Sequence, residues 1–224
     1  MPPYDTIIEL KARLREQFPT AHSGQGNAPT PQVTTGVPVL DEHLLTRGML
    51  VELVDSPMGG GALMLSECLR HVSKRGDYAA LIDAIDQWDP QSMALPDLNF
   101  LLWVRCTQTS QVLTAADLLL RDGNLPLLWI DFSLCSIRQL RQIPNSVWFR
   151  LRALGHQSRV TCIILSPGKL VGCADLSGEI RFSPSIAALN QLRSELLPHV
   201  SLHITRKRLY APRSDMDEEH RLHA

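Results

Sequence analysis

The chain has 224 residues, of which 44% are hydrophobic and 20% are charged, and its formal net charge is −1. This length can bury a sizeable core, most simply as one domain with short appendages. The near-zero charge excludes a global basic field that would drive non-specific DNA binding, so any contact with nucleic acid must be local or come through a partner.

Neither end of the sequence nor its cysteines predict export or a metal. The start, "MPPYDTIIELKARL", has no apolar core behind a basic segment, so it is not a signal peptide, and no apolar run reaches membrane-spanning length. No CxxC pair occurs, which favours reduced, buried thiols in a cytoplasmic protein and no zinc site. The five cysteines are Cys68, Cys106, Cys135, Cys162 and Cys173.

In chain order, the first predicted element is an amphipathic helix at 4–18, followed by a flexible Gly/Pro/Ser-rich linker at 20–33. Short apolar runs then predict strands at 50–54, 78–84, 100–106, 126–132 and 159–165. Helical patterns alternate with them at 62–74, 110–121 and 145–154, with Ser110 as an N-cap and Gly123 as a C-terminal stop. Nearly continuous apolar strands alternating with helices indicate an α/β fold with a mostly parallel sheet covered on both faces.

After Gly168 the pattern is looser. A short strand at 179–182, a helix at 185–196 and a strand at 200–209 are predicted to extend one edge of the sheet. The charged tail from Ser214, "SDMDEEHRLHA", is predicted to be disordered.

The segment "LVELVDSPMGGGALMLSECLRHV" has the strand–glycine turn–helix shape of a phosphate-binding loop. A working loop needs a lysine for the β/γ oxygens and a hydroxyl residue for magnesium, but Gly61 and Ala62 occupy those places. Asp55 stands where the loop normally opens with glycine, and it brings negative charge. Together with Gly59 and Gly60, these residues predict a vestigial loop that keeps its turn but binds no nucleotide cofactor.

The order of several motifs resembles the RecA recombinase family. "TTGVPVLDEHL" precedes the loop, "ALIDAIDQWDP" is similar to the family's isoleucine-aspartate-alanine segment, and "LLWIDF" matches the Walker B strand with Asp131 at its end. The resemblance implies a RecA-like core over 34–210, an N-terminal helix and linker at 1–33, and a charged tail at 211–224. Ile85 takes the place of the family's catalytic glutamate, and Ser166 and Pro167 replace its nucleotide-sensing pair, so catalysis is not expected and Asp131 is read as vestigial.

Within that family the sequence looks most like ImuA-type proteins, short RecA-like chains that act in damage-induced mutagenesis. The resemblance implies a non-catalytic adaptor of the SOS response and of translesion synthesis. Its expected protein partners are a Y-family-like polymerase homologue, an error-prone replicative polymerase and RecA itself. Two alternatives stay open: an atypical ATPase that uses Lys74 or Lys169, and a division inhibitor resembling SulA.

Other polar groups have both a functional and a structural interpretation. Asp83, Asp86 and Asp89 follow one strand and suggest metal ligands, although aspartates also simply end strands and begin helices there. His199 and His203 have no partner at ligand spacing, so no metal is predicted. The basic cluster near the C-terminus is a candidate surface for DNA or a partner, because cations and an aromatic ring are what single strands bind. It comprises Arg206, Lys207, Arg208, Tyr210 and Arg213.

Overall fold

A computed structural model describes residues 31–56 and 59–208 of the chain. The predicted N-terminal helix, most of the linker, Tyr210, Arg213 and the charged tail lie outside these residues. The strands are β1 (Leu50–Val54), β2 (Ala79–Asp83), β3 (Leu101–Arg105), β4 (Leu127–Asp131), β5 (Thr161–Ser166), β6 (Leu176–Phe182) and β7 (Val200–Lys207). The α-helices are α1 (Pro38–Asp41), α2 (Gly61–Lys74), α3 (Leu95–Leu98), α4 (Thr109–Asp122), α5 (Ile137–Leu140) and α6 (Asn145–Ser158).

The strands form one sheet in the order β3-β2-β4-β5-β1-β6-β7. Every neighbouring pair is parallel except β6 and β7, which are antiparallel. Helices and loops cover both faces, so the predicted α/β fold with a mostly parallel sheet is confirmed. The sheet ends at β3 on one side and at β7 on the other.

Alternate residues of the central strands feed two separate apolar cores. Val51 and Leu53 of β1 point to the core beneath α2, whereas Leu50 points to the core beneath α4 and α6. Because both faces are buried, the central strands are apolar along almost their whole length. Each fully buried aliphatic side chain contributes about 1.5–3 kcal/mol to folding.

The threonine-glycine and leucine-aspartate pairs of "TTGVPVLDEHL" form a local clasp ahead of β1. Asp41 accepts hydrogen bonds from Thr35 N (2.7 Å), Thr35 Oγ1 (2.8 Å) and Gly36 N (3.1 Å). Gly36 has a φ of +76°, and a Cβ there would lie 2.4 Å from the Cβ of His71 on α2. Glycine is therefore required both for the turn and for the close approach to α2.

Two sequence predictions about helices are wrong. The segment at 185–196 is not an α-helix but contains short 3₁₀ segments, Ala188–Asn190 and Arg193–His199. Ile186 and Leu192 are exposed there, so these two large apolar side chains contribute no burial that would stabilise an α-helix. The N-cap of α4 is Gln108, not Ser110, and the Gln111 side chain accepts a hydrogen bond of 3.2 Å from the Gln108 N–H. Gly123 does end α4 in the left-handed region.

Candidate functional site

The residues predicted from the glycine loop and the Walker B strand meet at one edge of the sheet. Asp55 directly follows β1, Asp83 ends β2, Asp131 ends β4 and Ser166 ends β5. In a parallel sheet this carboxyl edge is where ligand sites form. The structure therefore brings together residues of the predicted site that lie far apart in the sequence.

Asp55 itself fills part of the glycine loop. Its Oδ2 accepts a hydrogen bond of 3.1 Å from the backbone N–H of Gly61, the first residue of α2. The Asp55 side chain is buried, with Oδ1 lacking any hydrogen-bond partner among the described residues. Since the first N–H groups of a helix have no intrahelical partner, a carboxylate of the chain takes a position open to a phosphate in a nucleotide-binding loop.

No lysine of the described chain replaces the missing one beside the loop. Gly61 is buried and Ala62 is exposed, and neither has a side chain that reaches a phosphate. Lys74 is the last of the 14 residues of α2, so it lies about 20 Å along the helix axis from the loop. Lys169 forms an ion pair of 3.2 Å with Glu179 on β6. Of the two lysines of the ATPase alternative, Lys74 is thus far from the loop. Lys169 is engaged by Glu179, which pairs in register with Val54 at the end of β1.

The electrostatics of the edge oppose a further anion. Burial raises the pKa of Asp55 from its ordinary value of 3.8 to about 6, the Gly61 hydrogen bond lowers it, and Asp131 raises it. Burial also raises the pKa of Asp131, with hydrogen bonds from Ser133 acting the other way and Asp83 adding to the rise. Carboxylates that must share a buried region discourage a phosphate from entering it.

Asp131 accepts hydrogen bonds from a residue close to it in the chain. Its Oδ1 accepts hydrogen bonds from Ser133 N (2.8 Å) and Ser133 Oγ (2.6 Å). This is the arrangement of an aspartate that caps the end of a strand. Ser166, at the end of β5, is fully buried, and its hydroxyl has no partner among the described residues.

The three aspartates after β2 also have structural partners. Asp83 accepts from the backbone N–H groups of Gln87 (3.1 Å) and Trp88 (2.8 Å). Asp86 forms a two-pronged pair with Arg105 at 2.5 and 2.7 Å, and Asp89 accepts from Gln91 N. Within 31–56 and 59–208, no group of three or more His, Cys, Asp and Glu side chains could hold a metal ion. Ile85, in the place of the catalytic glutamate, is partly exposed beside them.

The described part of the basic cluster is largely engaged with the chain. Arg206 donates to the carbonyl oxygens of Gly172 (2.6 Å) and Val171 (2.8 Å) and to Ser177 Oγ (2.9 Å). Lys207 Nζ donates to the carbonyl of His43 (3.0 Å), while the exposed Arg208 makes one long side-chain bond, to the carbonyl of Gly172 (3.5 Å). Of these three cations, Arg208 is the most available for an external phosphate; Tyr210 and Arg213 lie outside the described residues.

Sequence reasoning missed two buried carboxylates that brace β1. Glu52 accepts backbone N–H bonds from Leu170 (2.6 Å) and Val171 (2.8 Å). Asp175 accepts from Leu50 N (2.9 Å), Arg152 Nε (2.8 Å) and His156 Nε2 (3.1 Å). The only sequence signal for Glu52 was an acidic residue inside an apolar run. Its hydrogen-bond partners lie more than a hundred residues away in the chain.

The remaining sequence expectations concern thiols and membranes. All five cysteines are free thiols, four of them buried, and burial raises the pKa of Cys68 and Cys162 to about 12. No helix among the described residues is long and apolar enough to cross a membrane.

Comparison with known proteins relates the chain to RecA. It is 31% identical to the RecA protein of Amycolatopsis mediterranei (strain U-32) over 141 residues, which are 58% of this chain and 40% of that protein. Over 110 residues, 46% of the chain, it is 31% identical to RecA of Clavibacter michiganensis subsp. michiganensis and 32% identical to RecA of Leifsonia xyli subsp. xyli. These matches cover 30% and 31% of the two relatives. No family model matches the chain.

The sheet and these similarities together define a RecA-like α/β chain. The relationship to RecA is distant and partial, since the matched regions span at most two fifths of those relatives. The Asp55 carboxylate accepts a hydrogen bond from Gly61 N in the loop, and the positions of the nucleotide-binding lysine and hydroxyl residue hold Gly61 and Ala62.

Proposed function

We propose that this chain is a non-catalytic RecA-like adaptor in damage-induced translesion synthesis, the SOS-type response that the resemblance to ImuA-type proteins implies. Its work is recruitment: it binds a Y-family-like polymerase homologue and, through it, an error-prone replicative polymerase, with RecA as a further partner. The observation that carries the loss of catalysis is the glycine loop, where Asp55 takes the Gly61 N–H and no lysine is supplied.

The edge strand β3 supports the binding role. Among the described strands, β3 pairs only with β2, so its outer edge has no strand neighbour. Leu102 on β3 is 44% exposed, and Leu118 on the adjacent α4 is 62% exposed. An exposed apolar edge of this kind accepts an added strand from a partner, with main-chain hydrogen bonds for affinity and a side-chain pocket for selectivity.

A groove beside β3 supplies that pocket. It has a volume of about 400 Å³ and lies between β3 and α4, lined by residues that include Val104, Ala115 and Leu118. Arg105 also lines the groove, and its guanidinium is paired with Asp86 and lies 4.9 Å from the ring centre of Trp103. The occupant we expect is therefore an extended segment of a protein partner with one apolar anchor residue.

The test is binding of the purified polymerase homologue, measured by biolayer interferometry. Leu102→Asp and Leu118→Asp are expected to weaken binding by tenfold or more, because each places a charge on the apolar edge. Ile186→Asp is the matched control, since Ile186 is 88% exposed but lies between β6 and β7. Equal binding by all four proteins, or none by the native chain, would contradict the proposal; capture of a division protein instead would favour the SulA-like alternative.

A further inference from the structure

The carboxyl group of Asp55 lies very close to the backbone of the glycine loop. A Cβ at Gly61 would lie 2.2 Å from Asp55 Oδ2, and a Cβ at Gly59 would lie 1.5 Å from Asp55 Oδ1. Distances below 3.0 Å leave no room for a side-chain atom. The two glycines are thus what allows the carboxyl group to occupy the hollow of the loop.

Other side chains close the loop around Asp55. A Cβ at Gly60 would lie 2.5 Å from Val200 Cγ2, so the start of β7 packs directly on the loop backbone. Leu165 Cδ2 lies 2.9 Å from the Cβ position of Gly61. Arg193 Nη2 donates to the carbonyl of Ala62 at 3.3 Å, which fixes the segment before β7 against the first turn of α2.

The burial and hydrogen bonding of the Asp55 carboxyl group are consistent with a position inside the loop. Asp55 is 7% exposed, and its Oδ1 is buried without a hydrogen-bond partner among the described residues. The charged group that acts on it is Asp131 at the end of β4. A proton on Oδ1 relieves the repulsion with Asp131, consistent with the raised pKa of Asp55, while Oδ2 keeps the Gly61 bond.

We propose that Asp55 is an internal plug: its carboxyl group fills the position of a phosphate in the glycine loop and so closes the loop to phosphate and pyrophosphate. The loop's N–H group and the dipole of the 14-residue helix α2 remain in place, so removing the plug should uncover an anion site. This inference concerns the loop alone, and it goes beyond the adaptor proposal, which depends on β3.

The experiment is calorimetric titration of the full chain with inorganic pyrophosphate without magnesium. Asp55→Gly and Asp55→Ala both remove the carboxyl group, and the alanine variant covers the case in which the glycine variant does not fold. Asp55→Asn removes the charge but leaves an amide of the same size in the loop, so it separates filling from charge repulsion. Asp97→Asn, on α3, is the control for loss of one acidic group.

We expect Asp55→Gly and Asp55→Ala to bind pyrophosphate at least tenfold more tightly than the native chain, Asp55→Asn and Asp97→Asn. Binding should also raise the melting temperature of those two variants alone. The proposal is overturned if the native chain binds within threefold of them, or if folded Gly and Ala variants do not bind. Equal binding by Asp55→Asn and Asp55→Gly overturns it too, because charge rather than filling would then exclude the anion. Binding of the polymerase homologue, measured in parallel, should be unchanged in all variants.

Discussion

Two buried aspartates, one beside each end of β1, differ in how many hydrogen-bond donors surround them. At its start, Asp175 is 0% exposed and receives three hydrogen bonds, from Leu50 N, Arg152 and His156. Just past its end, Asp55 is 7% exposed and accepts from Gly61 N, with a weaker backbone contact from Ser56, while Oδ1 is buried without a full hydrogen bond among the described residues. A buried carboxylate with a full set of donors stabilises a fold, whereas one that lacks donors costs free energy.

The pKa values follow the same contrast. Burial alone would raise the pKa of Asp175, but the hydrogen bonds from His156, Leu50 and Arg152 outweigh it and lower the pKa. At Asp55 burial dominates, and the pKa rises to about 6. Lowering the pH should therefore remove the stabilising contribution of Asp175 at the start of β1, whereas protonation of Asp55 at the other end should be favourable.

The largest expected effect comes from removing the well-partnered group. Asp175→Ala should lower the free energy of unfolding by about 3–5 kcal/mol in urea at pH 7, because it leaves the Leu50 N–H unpaired and takes a carboxylate from Arg152 and His156. Since the folded pKa of Asp175 lies below the unfolded value of 3.8, its contribution is complete above that pH and is lost as the pH falls through the folded pKa.

The matched control for this loss is Asp117→Ala. Asp117 also receives bonds from two arginines, Arg121 and Arg150, but all three side chains lie at the surface. Its replacement should cost far less than that of Asp175, because exposed ion pairs add little stability. Similar losses for the two variants would contradict the distinction between the braced and the surface carboxylate.

A smaller loss of stability is expected from a substitution that tests the close contact between Gly61 and Asp55, just past the end of β1. Gly61→Ala should destabilise the native chain by about 1–3 kcal/mol, because its Cβ meets Asp55 Oδ2 at 2.2 Å. In an Asp55→Gly background the same change should cost less, because of the contacts below 3.0 Å only that of Leu165 Cδ2, at 2.9 Å, then remains. This gives a coupling energy of about 1–2 kcal/mol in a double-mutant cycle of urea denaturation. Gly172→Ala, where an added Cβ meets nothing within 4 Å, is the control. Additive effects of the two changes would show that Asp55 does not fill the loop.

The smallest expected effect has the opposite sign. Asp55→Asn should raise the free energy of unfolding by about 1–2 kcal/mol at pH 8, part of the roughly 3 kcal/mol that a two-unit pKa shift represents. The folded pKa of about 6 exceeds the unfolded 3.8, so the native chain is favoured by protonation below pH 3.8 and loses that advantage as the pH rises through about 6. The difference between variant and native chain should therefore vanish near pH 4. A variant less stable than the native chain at pH 8 would be evidence against a strained carboxylate.

What the sequence could predict follows from local patterns. The limits of β1 were predicted without error, and the predicted start of α2 differs by one residue. Both elements are recognisable because a buried apolar run and a glycine turn depend on residues that are adjacent in the sequence. The loss of lysine and hydroxyl at Gly61 and Ala62 was equally local. The segment at 185–196 was misjudged because its apolar residues match a helical period, yet Ile186 and Leu192 are exposed and Ala188 is buried.

The bonding of individual carboxylates was beyond the sequence. Asp175 meets Leu50 across 125 positions, and Glu52 meets Val171 across 119, so only the folded sheet reveals them. The sequence marked Asp55 as a charge that opposes phosphate, but not as a group inside the loop. Arg206 stood out as a DNA contact, while its carbonyl partners at Val171 and Gly172 depend on the β6–β7 pairing.

The central claim is that this RecA-like site performs no nucleotide chemistry. Its most direct test is phosphate release from ATP with magnesium and single-stranded DNA, compared between the native chain and Asp131→Asn, in which the amide oxygen can still accept the Ser133 bonds. We predict that both proteins stay at the background rate of the buffer. Turnover by the native chain that Asp131→Asn abolishes would contradict the claim and identify the chain as an ATPase.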